Sequence, residues 1–372
     1  MRRLRTAVIG AGRLGGFHAQ KLADHDLVDL LAVVDPLPES RNRVAGECRT
    51  TAVADYRELL DGLDAAVIAV PTGLHHKLAL DFLNHGIHLL VEKPICSTTG
   101  EADELLEAAG RSGVVLQVGH VERFNPALGA AAPHVQNPKY IEAVRASGFT
   151  FRSTDVGVVL DLMIHDIDLI LALVGSPVRK VEALGLSVLG GHEDVANARI
   201  EFESGCVAAI SACRVSCDPA RRMSIWSPRA FAAIDFATRT TTLVQPSETL
   251  LQRRFDVEGL APEQAEYYRE HLAEEHLPRK VLQHEAVDAL ALELDDFIAA
   301  IRTPRRPLVG GQAGRDALAV AEQVLAKIRT HAWDDTADGP MGPMAAPRRR
   351  VIPAPHFAVT PPDFSVVRKE AG

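Results

Sequence analysis

Short apolar runs alternate with amphipathic stretches through the first third of the chain. Runs at residues 6–9, 30–34, 65–70, 88–91 and 114–118 predict β-strands, with helical periodicity between them, for example over 77–84 and 101–111. Strands that alternate with helices indicate a parallel, doubly wound sheet. In such sheets ligands bind at the carboxyl ends of the strands, where the strand order reverses. That edge is the predicted location of a ligand site.

The pattern changes in the second part of the chain. Strands are predicted at residues 141–147, 181–189, 196–202, 206–214, 223–226 and 230–236, with short turns between several of them. This arrangement indicates a largely antiparallel sheet. A helix is predicted over 158–174, residues 257–285 have a charged, helical pattern, and closing helices are predicted over 290–301 and 313–328.

These patterns predict an α/β protein with two domains. Residues 1–122 are expected to form a Rossmann-type, doubly wound parallel sheet. Residues 123–330 are expected to form a second α/β domain with an open, largely antiparallel sheet. The remaining residues, 331–372, are rich in proline and arginine with little periodicity, and we expect them to be disordered.

Composition narrows the class of protein. A chain of 372 residues is long enough for two domains and a sizeable core. The net charge of −9 disfavours a nucleic-acid partner, and no apolar stretch reaches the length of a membrane span. The five cysteines lack the spacing of a zinc site, so we expect buried thiols, a reducing cytoplasm and no bound metal.

A glycine-rich turn of the form G-x-G-x-x-G follows the first predicted strand. Gly10 allows the sharp turn, Gly12 lets a pyrophosphate approach the backbone, and Gly15 lets the helix pack close to the strand. Asp35 follows 20 residues after Gly15, where its carboxylate can accept hydrogen bonds from ribose hydroxyls. This carboxylate favours NAD over NADP, although Arg13 partly offsets that preference. The cofactor contacts predicted here are Gly10, Gly12, Arg13, Leu14, Gly15 and Asp35.

Further polar residues follow the later strands of the same sheet. Pro71, Thr72 and His75 come after the third strand and are predicted to contact the cofactor. Glu92 and Lys93 end the fourth strand, where the Lys93 ammonium would face a nicotinamide ring and Glu92 would also lie near the cofactor.

A carboxylate and an imidazole lie on the helix predicted over 158–174. Asp161 and His165 are four residues apart and share one helical face, with Asp168 on the same side. A neighbouring carboxylate favours the charged imidazolium and can fix the tautomer of the ring. His165 would then act as a general base on a hydroxyl, while Lys93 donates to the substrate oxygen. In isolation, a core histidine on an amphipathic helix explains the pattern equally well.

Together these motifs resemble the Gfo/Idh/MocA family of oxidoreductases, from about residue 5 to residue 330. The resemblance is carried by residues 10–15, 71–75, 92–94 and 123–126 and by the D-x-x-x-H pattern of 161–165. It implies that residues 1–122 bind NAD and that residues 123–330 bind substrate and pair subunits into a homodimer or homotetramer. It assigns the catalytic lysine, aspartate and histidine of the family to Lys93, Asp161 and His165.

Within the family, residues 117–126 and 155–168 are most similar to a subgroup of UDP-N-acetylglucosamine 3-dehydrogenases. That similarity implies oxidation of the sugar 3-hydroxyl by NAD, on a route to lipid A. Lys93, Asp161 and His165 would contact the sugar, and Arg123 and Arg152 are the candidate contacts for a diphosphate. Two alternatives stay open: a dehydrogenase of a free polyol or monosaccharide such as myo-inositol, and a non-catalytic, NAD-binding regulatory protein.

Overall fold

The computed structural model describes residues 2–151, 155–189, 191–303 and 305–331. Two predictions fall outside these ranges. One is the phosphate-binding role of Arg152, and the other is the disorder predicted for the proline-rich tail beyond His331.

The first part of the chain forms a six-stranded parallel sheet with helices between the strands. Its elements are β1 (Leu4–Ile9), α1 (Arg13–Ala23), β2 (Val28–Val34), α2 (Pro38–Cys48), β3 (Thr51–Val53), β4 (Ala65–Ile68), α3 (His75–Asn84), β5 (His88–Glu92), α4 (Thr99–Ser112) and β6 (Leu116–Gly119). The strand order is β3-β2-β1-β4-β5-β6, which is the order of a dinucleotide-binding sheet. The order reverses between β1 and β4, so the predicted Rossmann-type fold is confirmed.

Local sequence signals define where these helices begin and end. Thr98 and Glu101 form a capping box at the start of α4, and Gly113 ends that helix with a φ of +66°. A glycine adopts this left-handed conformation without the steric cost that a Cβ would add. All four residues of β4 are buried, as expected of a central strand that helices cover on both faces.

The second part of the chain forms an eight-stranded mixed sheet with order β14-β13-β12-β11-β7-β10-β9-β8. Its elements are α5 (Pro126–Ala131), β7 (Tyr140–Ala146), α6 (Ile164–Val174), β8 (Val178–Leu186), β9 (Val195–Phe202), β10 (Val207–Cys213), β11 (Ala220–Trp226), β12 (Phe231–Asp235), β13 (Thr240–Val244), α7 (Glu248–Leu251), α8 (Pro262–His276), β14 (Arg279–Gln283), α9 (Ala289–Arg302) and α10 (Gly311–Thr330). β7 pairs with β10 in parallel, and the other pairs are antiparallel, as predicted.

The structure corrects the predicted helical stretch of residues 257–285. Only Pro262–His276 is helical, and Arg279–Gln283 forms the edge strand β14 against β13. The strand is mostly exposed and contains Arg279 and Lys280, so its sequence lacks the alternation of a half-buried strand. Charged residues on an exposed edge are a common protection against unwanted strand pairing.

The helix predicted over 158–174 begins differently from an ordinary α-helix. Val159–Met163 forms a π-helical turn, and the α-helix α6 starts only at Ile164. The buried carboxylate of Glu193 accepts from the Val159 backbone N–H at 3.1 Å and lies where a Cβ on Gly157 would be. A π-turn inside a helix is often found at a functional site.

The last two helices return to the first sheet. Leu294, Phe297 and Ile298 of α9 pack into the apolar core beside β1 and β2, and Val309 and Leu318 join the core on the other face of that sheet. The boundary predicted between residues 122 and 123 stays a prediction. The structure shows that residues assigned to the second domain also cover the first sheet.

Two expectations from composition can be compared with the described residues. In that part of the chain, no helix combines the length and apolar character needed to span a bilayer. All five cysteines are free thiols, but only Cys96 and Cys206 are buried. Cys48 and Cys213 are partly exposed and Cys217 is exposed, so the prediction of buried thiols is wrong for these three.

Candidate active site

The glycine-rich turn has the close contacts that a dinucleotide turn requires. Gly10 has a φ of +101°, and a Cβ there would lie 2.3 Å from the carbonyl oxygen of Ala69 on the β4 side. A Cβ on Gly15 would lie 1.9 Å from the Gly10 carbonyl oxygen. Gly12 precedes the first residue of α1, has no side-chain cap, and has open space around its Cβ position. The N–H groups that begin α1 are therefore available to a phosphate.

Asp35 lies beside this turn at the end of β2. Its carboxylate accepts hydrogen bonds from the backbone N–H groups of Ala11 at 2.8 Å and Leu37 at 2.9 Å. These bonds fix the side chain next to the place where a cofactor ribose would lie. Arg13 lies over the ring of Phe17, with its guanidinium carbon 5.5 Å from the ring centre. Arg13 therefore packs against a side chain of its own helix, α1.

Asp35→Ala is expected to weaken NAD binding roughly tenfold and to lower the ratio of NAD to NADP affinity, because a hydrogen bond to a charged group is lost. Isothermal titration with each cofactor measures the ratio. Asp35→Asn separates the effect of the negative charge from that of the hydrogen bond to the turn, since the amide oxygen of asparagine can still accept from the Ala11 N–H. Asp29→Ala, at an exposed position of β2, is the control. An unchanged ratio in Asp35→Ala would show that this carboxylate does not bind the ribose.

A cavity of about 320 Å³ opens beside the turn, at the carboxyl edge of the sheet. Its lining includes Gly12, Arg13, Leu14, Pro71, Thr72, Glu92, Lys93, Asp155, Leu160 and Asp161. The cavity therefore joins the glycine-rich turn, the ends of β4 and β5, and the π-turn of the second domain. The sequence analysis predicted that a nicotinamide ring and the substrate bind at this edge of the sheet.

Lys93 and Asp161 meet in this crevice from positions 68 residues apart. The Lys93 Nζ donates to the Asp161 backbone oxygen at 2.7 Å and to its Oδ1 at 3.3 Å. Both side chains are mostly buried, with 17% and 21% of their surface exposed. The ammonium is therefore held at the cavity wall by one carbonyl and one carboxylate.

The surroundings of His165 differ from the prediction. Burial holds the pKa of His165 well below its usual value, and the positive charge of Lys93 lowers it further. Its Nδ1 is buried and without a hydrogen-bond partner among the described residues. Asp161 contacts Lys93, so the expectation that it favours a charged His165 is wrong. A neutral imidazole is nevertheless the form that accepts a proton.

A second histidine lies beside His165 and was not among the predicted site residues. The His120 ring is edge-on to the His165 ring, with 6.1 Å between centres, and both its nitrogens are buried without a partner in the described part of the chain. Burial lowers the pKa of His120 as well. His120 follows β6 directly, so its position at a strand end was a signal available in the sequence.

Arg123 is engaged in a structural ion pair. Its guanidinium binds the buried carboxylate of Asp168 through Nε at 2.6 Å and Nη2 at 2.8 Å. A bidentate pair of this kind uses the donors that a diphosphate would need. The prediction that Arg123 contacts phosphate therefore loses support, because Asp168 holds its guanidinium.

The His75 ring connects two loops at the carboxyl edge of the sheet. Its Nδ1 lies 2.9 Å from the Pro94 carbonyl oxygen and its Nε2 lies 2.8 Å from that of Val70. Each ring nitrogen faces a backbone carbonyl oxygen, and the side chain is buried. His75 therefore holds the loop after Lys93, in place of the predicted contact with the cofactor.

Three buried titratable groups lie directly behind Lys93. The Glu92 Oε1 is 2.7 Å from Nε2 of His18 on α1, and Glu293 of α9 completes the group. The donor atoms of all three lie within 4.8 Å of one another. Two ligands of one tetrahedral metal ion are about 3.3 Å apart. The His18–Glu92 distance of 2.7 Å is shorter than this and is that of a hydrogen bond. The contact therefore indicates a proton between the two groups rather than a metal ion bound by both.

The Glu293 side chain has the fewest hydrogen-bond partners of these three residues. Neither of its carboxylate oxygens has a hydrogen-bond partner among the described residues, and its side chain is fully buried. Burial raises the pKa of Glu293 well above its usual value, and the charges of Glu92 and Asp296 add to the effect. The raised pKa favours the protonated, neutral acid at this position, which faces Glu92 from β5 and His18 from α1.

The raised pKa of Glu293 predicts how stability depends on pH. The folded protein binds a proton here that the unfolded chain releases near its ordinary pKa, so stability falls as pH rises towards the folded pKa. The loss is about 1.4 kcal/mol per pH unit across that window. Glu293→Gln keeps a neutral side chain and should remove this component. Thermal melts from pH 5 to 9 test this, with Glu263→Gln on exposed α8 as control; parallel curves for wild type and Glu293→Gln would contradict it.

Two family models match the chain along its two sheets. The oxidoreductase family with an NAD-binding Rossmann fold matches residues 4–120, and the GFO/IDH/MocA C-terminal domain matches residues 131–230. UDP-N-acetylglucosamine 3-dehydrogenase from Acidithiobacillus ferrooxidans is 36% identical over 331 residues, covering 87% of this chain and 97% of that protein. A scyllo-inositol 2-dehydrogenase (NAD(+)) from Bacillus subtilis is 31% identical over 232 residues, covering 57% and 68%.

The fold is similar to solved structures as well. A structure of the Acidithiobacillus ferrooxidans UDP-N-acetylglucosamine 3-dehydrogenase superimposes with a TM-score of 0.77 and 35% identity, covering 88% of this chain and 98% of that one. The glycine-rich turn, the Lys93–Asp161 contact at the crevice and these similarities agree with one another. The chain belongs to the Gfo/Idh/MocA family of NAD-binding oxidoreductases.

Proposed function

We propose that this protein is an NAD-dependent dehydrogenase of a sugar nucleotide, and that it oxidises the 3-hydroxyl of UDP-N-acetylglucosamine. The observation that carries the dehydrogenase chemistry is the convergence of Lys93 and Asp161 at a crevice beside the glycine-rich turn. The substrate follows from the relative of 36% identity, which matches nearly its whole length.

The turn fits a dinucleotide because the positions of Gly10 and Gly15 admit no side chain and the start of α1 is uncapped. NAD bound there supplies the acceptor for the hydride. The start of α1 would hold the phosphates, Asp35 would bind the adenosine ribose, and Thr72 and Glu92 would lie near the nicotinamide.

The residues of the crevice divide the proton chemistry between them. Neutral His165 accepts the proton of the sugar hydroxyl as the carbon–hydrogen bond is broken. The Lys93 ammonium donates to the same oxygen and stabilises its developing negative charge. Asp161 holds Lys93 at the cavity wall through two acceptor atoms. In this assignment Asp161 orients the lysine, and the lowered pKa of His165 favours the uncharged ring that accepts the proton.

A free polyol is the second candidate substrate. Inositol dehydrogenases are among the relatives, and Arg123, one of the two arginines first considered for a diphosphate, is bound to Asp168. A third possibility, a non-catalytic NAD-binding regulator, loses support because the predicted lysine and aspartate meet and because the relatives are dehydrogenases.

Substrate choice is tested by following NADH absorbance with purified protein and NAD. UDP-N-acetylglucosamine, N-acetylglucosamine, glucose and myo-inositol are offered separately. We expect the sugar nucleotide to give the highest kcat/KM, by at least a hundredfold over myo-inositol. A higher value for myo-inositol would select the free polyol as the substrate. NAD binding without NADH formation from any of the four compounds would instead support the non-catalytic regulator.

We further propose that the enzyme acts in the cytoplasm, on a route that supplies an aminated sugar for lipid A. Subunits are proposed to pair through the open face of the eight-stranded sheet, which carries the partly exposed Val144 and Trp226. Light scattering of the purified protein measures the oligomer directly.

A further inference from the structure

An arginine on β11 occupies an unusual place in the second sheet. In β7, Ile141, Ala143 and Arg145 face the covered side of the sheet and are buried. In the register of the two strands, their partners on β11 are Ile225, Met223 and Arg221. Side chains of directly paired residues lie on the same face, so Arg221 belongs to the covered row.

Arg221 is nevertheless exposed. Met223 and Ile225 of the same row are buried, whereas 59% of the Arg221 side chain is open to solvent. The covered face therefore reaches the surface at Arg221. Arg145 in the neighbouring strand binds Asp166, the residue after His165, so Arg221 and His165 both adjoin the same ion pair.

The electrostatics agree with this location. Burial is the main cause of the low pKa of His165, and Arg221 is one of the cations whose charge lowers it further. The ion pair of Arg221 is a long one, at 3.8 Å from Oε1 of Glu122. The same oxygen accepts from Arg145 Nη1 at 2.8 Å. The main partner of Glu122 is thus the buried Arg145. The exposed guanidinium of Arg221 can therefore bind an anion from solvent.

We propose that Arg221 is a specificity-determining residue that binds a phosphate oxygen of the substrate, a nucleoside diphosphate linked to a sugar. This inference rests on the proposed function, and it supplies the cation that Arg123 does not provide. The guanidinium donates to the diphosphate, while the sugar extends towards Lys93 and His165. A free polyol has no group for Arg221 to bind, so this residue would separate the two candidate substrates.

Arg221→Gln tests the proposal, and Arg222→Gln is its matched control. Arg222 is the next residue of β11, is similarly exposed at 68%, and pairs with Asp235 on the adjacent strand. Kinetics are measured with UDP-N-acetylglucosamine and with N-acetylglucosamine, and UDP is used as an inhibitor. Arg221→Gln should raise KM for the nucleotide sugar and Ki for UDP by roughly tenfold to a hundredfold. The kcat and the KM for NAD should change less than threefold, and Arg221→Lys should recover part of the loss.

The outcomes separate this inference from the proposed function. If wild type oxidises UDP-N-acetylglucosamine and Arg221→Gln leaves its KM and the UDP Ki unchanged, the role of Arg221 is overturned and the function stands. If Arg221→Gln weakens UDP but wild type does not oxidise the nucleotide sugar, the reaction is wrong and the diphosphate contact stands. Equal losses with N-acetylglucosamine would also overturn the inference, because that sugar has no phosphate.

Discussion

The Lys93→Met substitution is expected to lower kcat at least about a hundredfold while NAD binding is retained. Methionine keeps most of the length of the side chain but removes the charge that would stabilise the developing alkoxide. Losing one such donor typically costs about 10²–10³-fold, or roughly 2.7–4 kcal/mol of barrier. In the proposed site the glycine-rich turn and Asp35 would bind the other end of the cofactor, so the NAD dissociation constant should change little.

Two measurements make this result specific to Lys93. Turnover is followed by NADH absorbance, and NAD binding by quenching of protein fluorescence in the same preparation. Lys77→Met, at an exposed position of α3, controls for the loss of a lysine elsewhere in the domain. A kcat within threefold of wild type in Lys93→Met would remove Lys93 from the reaction. A parallel loss of NAD affinity would instead assign the residue to cofactor binding.

The architecture could be predicted from the sequence because most strands and helices have a recognisable local pattern of residues. The buried strands of the first sheet are apolar, and its turn needs glycine at positions where a Cβ would overlap the backbone. Two of the edge strands, β3 and β14, were missed for the opposite reason. β3 has only three residues, and β14 is exposed and charged, so neither shows the periodicity by which a strand is recognised.

The site was predicted in part, because spacing along the chain gives proximity but not partners. Lys93 and Asp161 were expected near one another, and they are in contact. Spacing also suggested that Asp161 would hold His165, but Lys93 takes that carboxylate. Arg123 was expected to be available, but Asp168 binds it. Glu293 comes from 200 residues beyond Lys93, and no local pattern connects it to the site. These pairings depend on competition among charges that only the folded chain brings together.

The His165→Asn substitution is expected to reduce kcat by about 10²–10⁴-fold, the range of general base catalysis. The low pKa of His165 adds a prediction on pH. Because the neutral ring is the active form, kcat/KM for alcohol oxidation should hold below pH 6.5 and fall only when the ring becomes protonated at more acidic pH. His165→Asn should remove this acidic limb from the residual activity.

His120 provides the decisive comparison, because its ring lies 6.1 Å from that of His165 and its pKa is also lowered by burial. The pH profiles of His165→Asn and His120→Asn are measured beside that of His85→Asn, at an exposed position. If only His165→Asn removes the acidic limb, the proton is accepted at that ring. If His120→Asn removes the limb and His165→Asn keeps it, His120 is the base. In that case the neutral His165 would serve to orient the substrate, and the proton would leave towards β6.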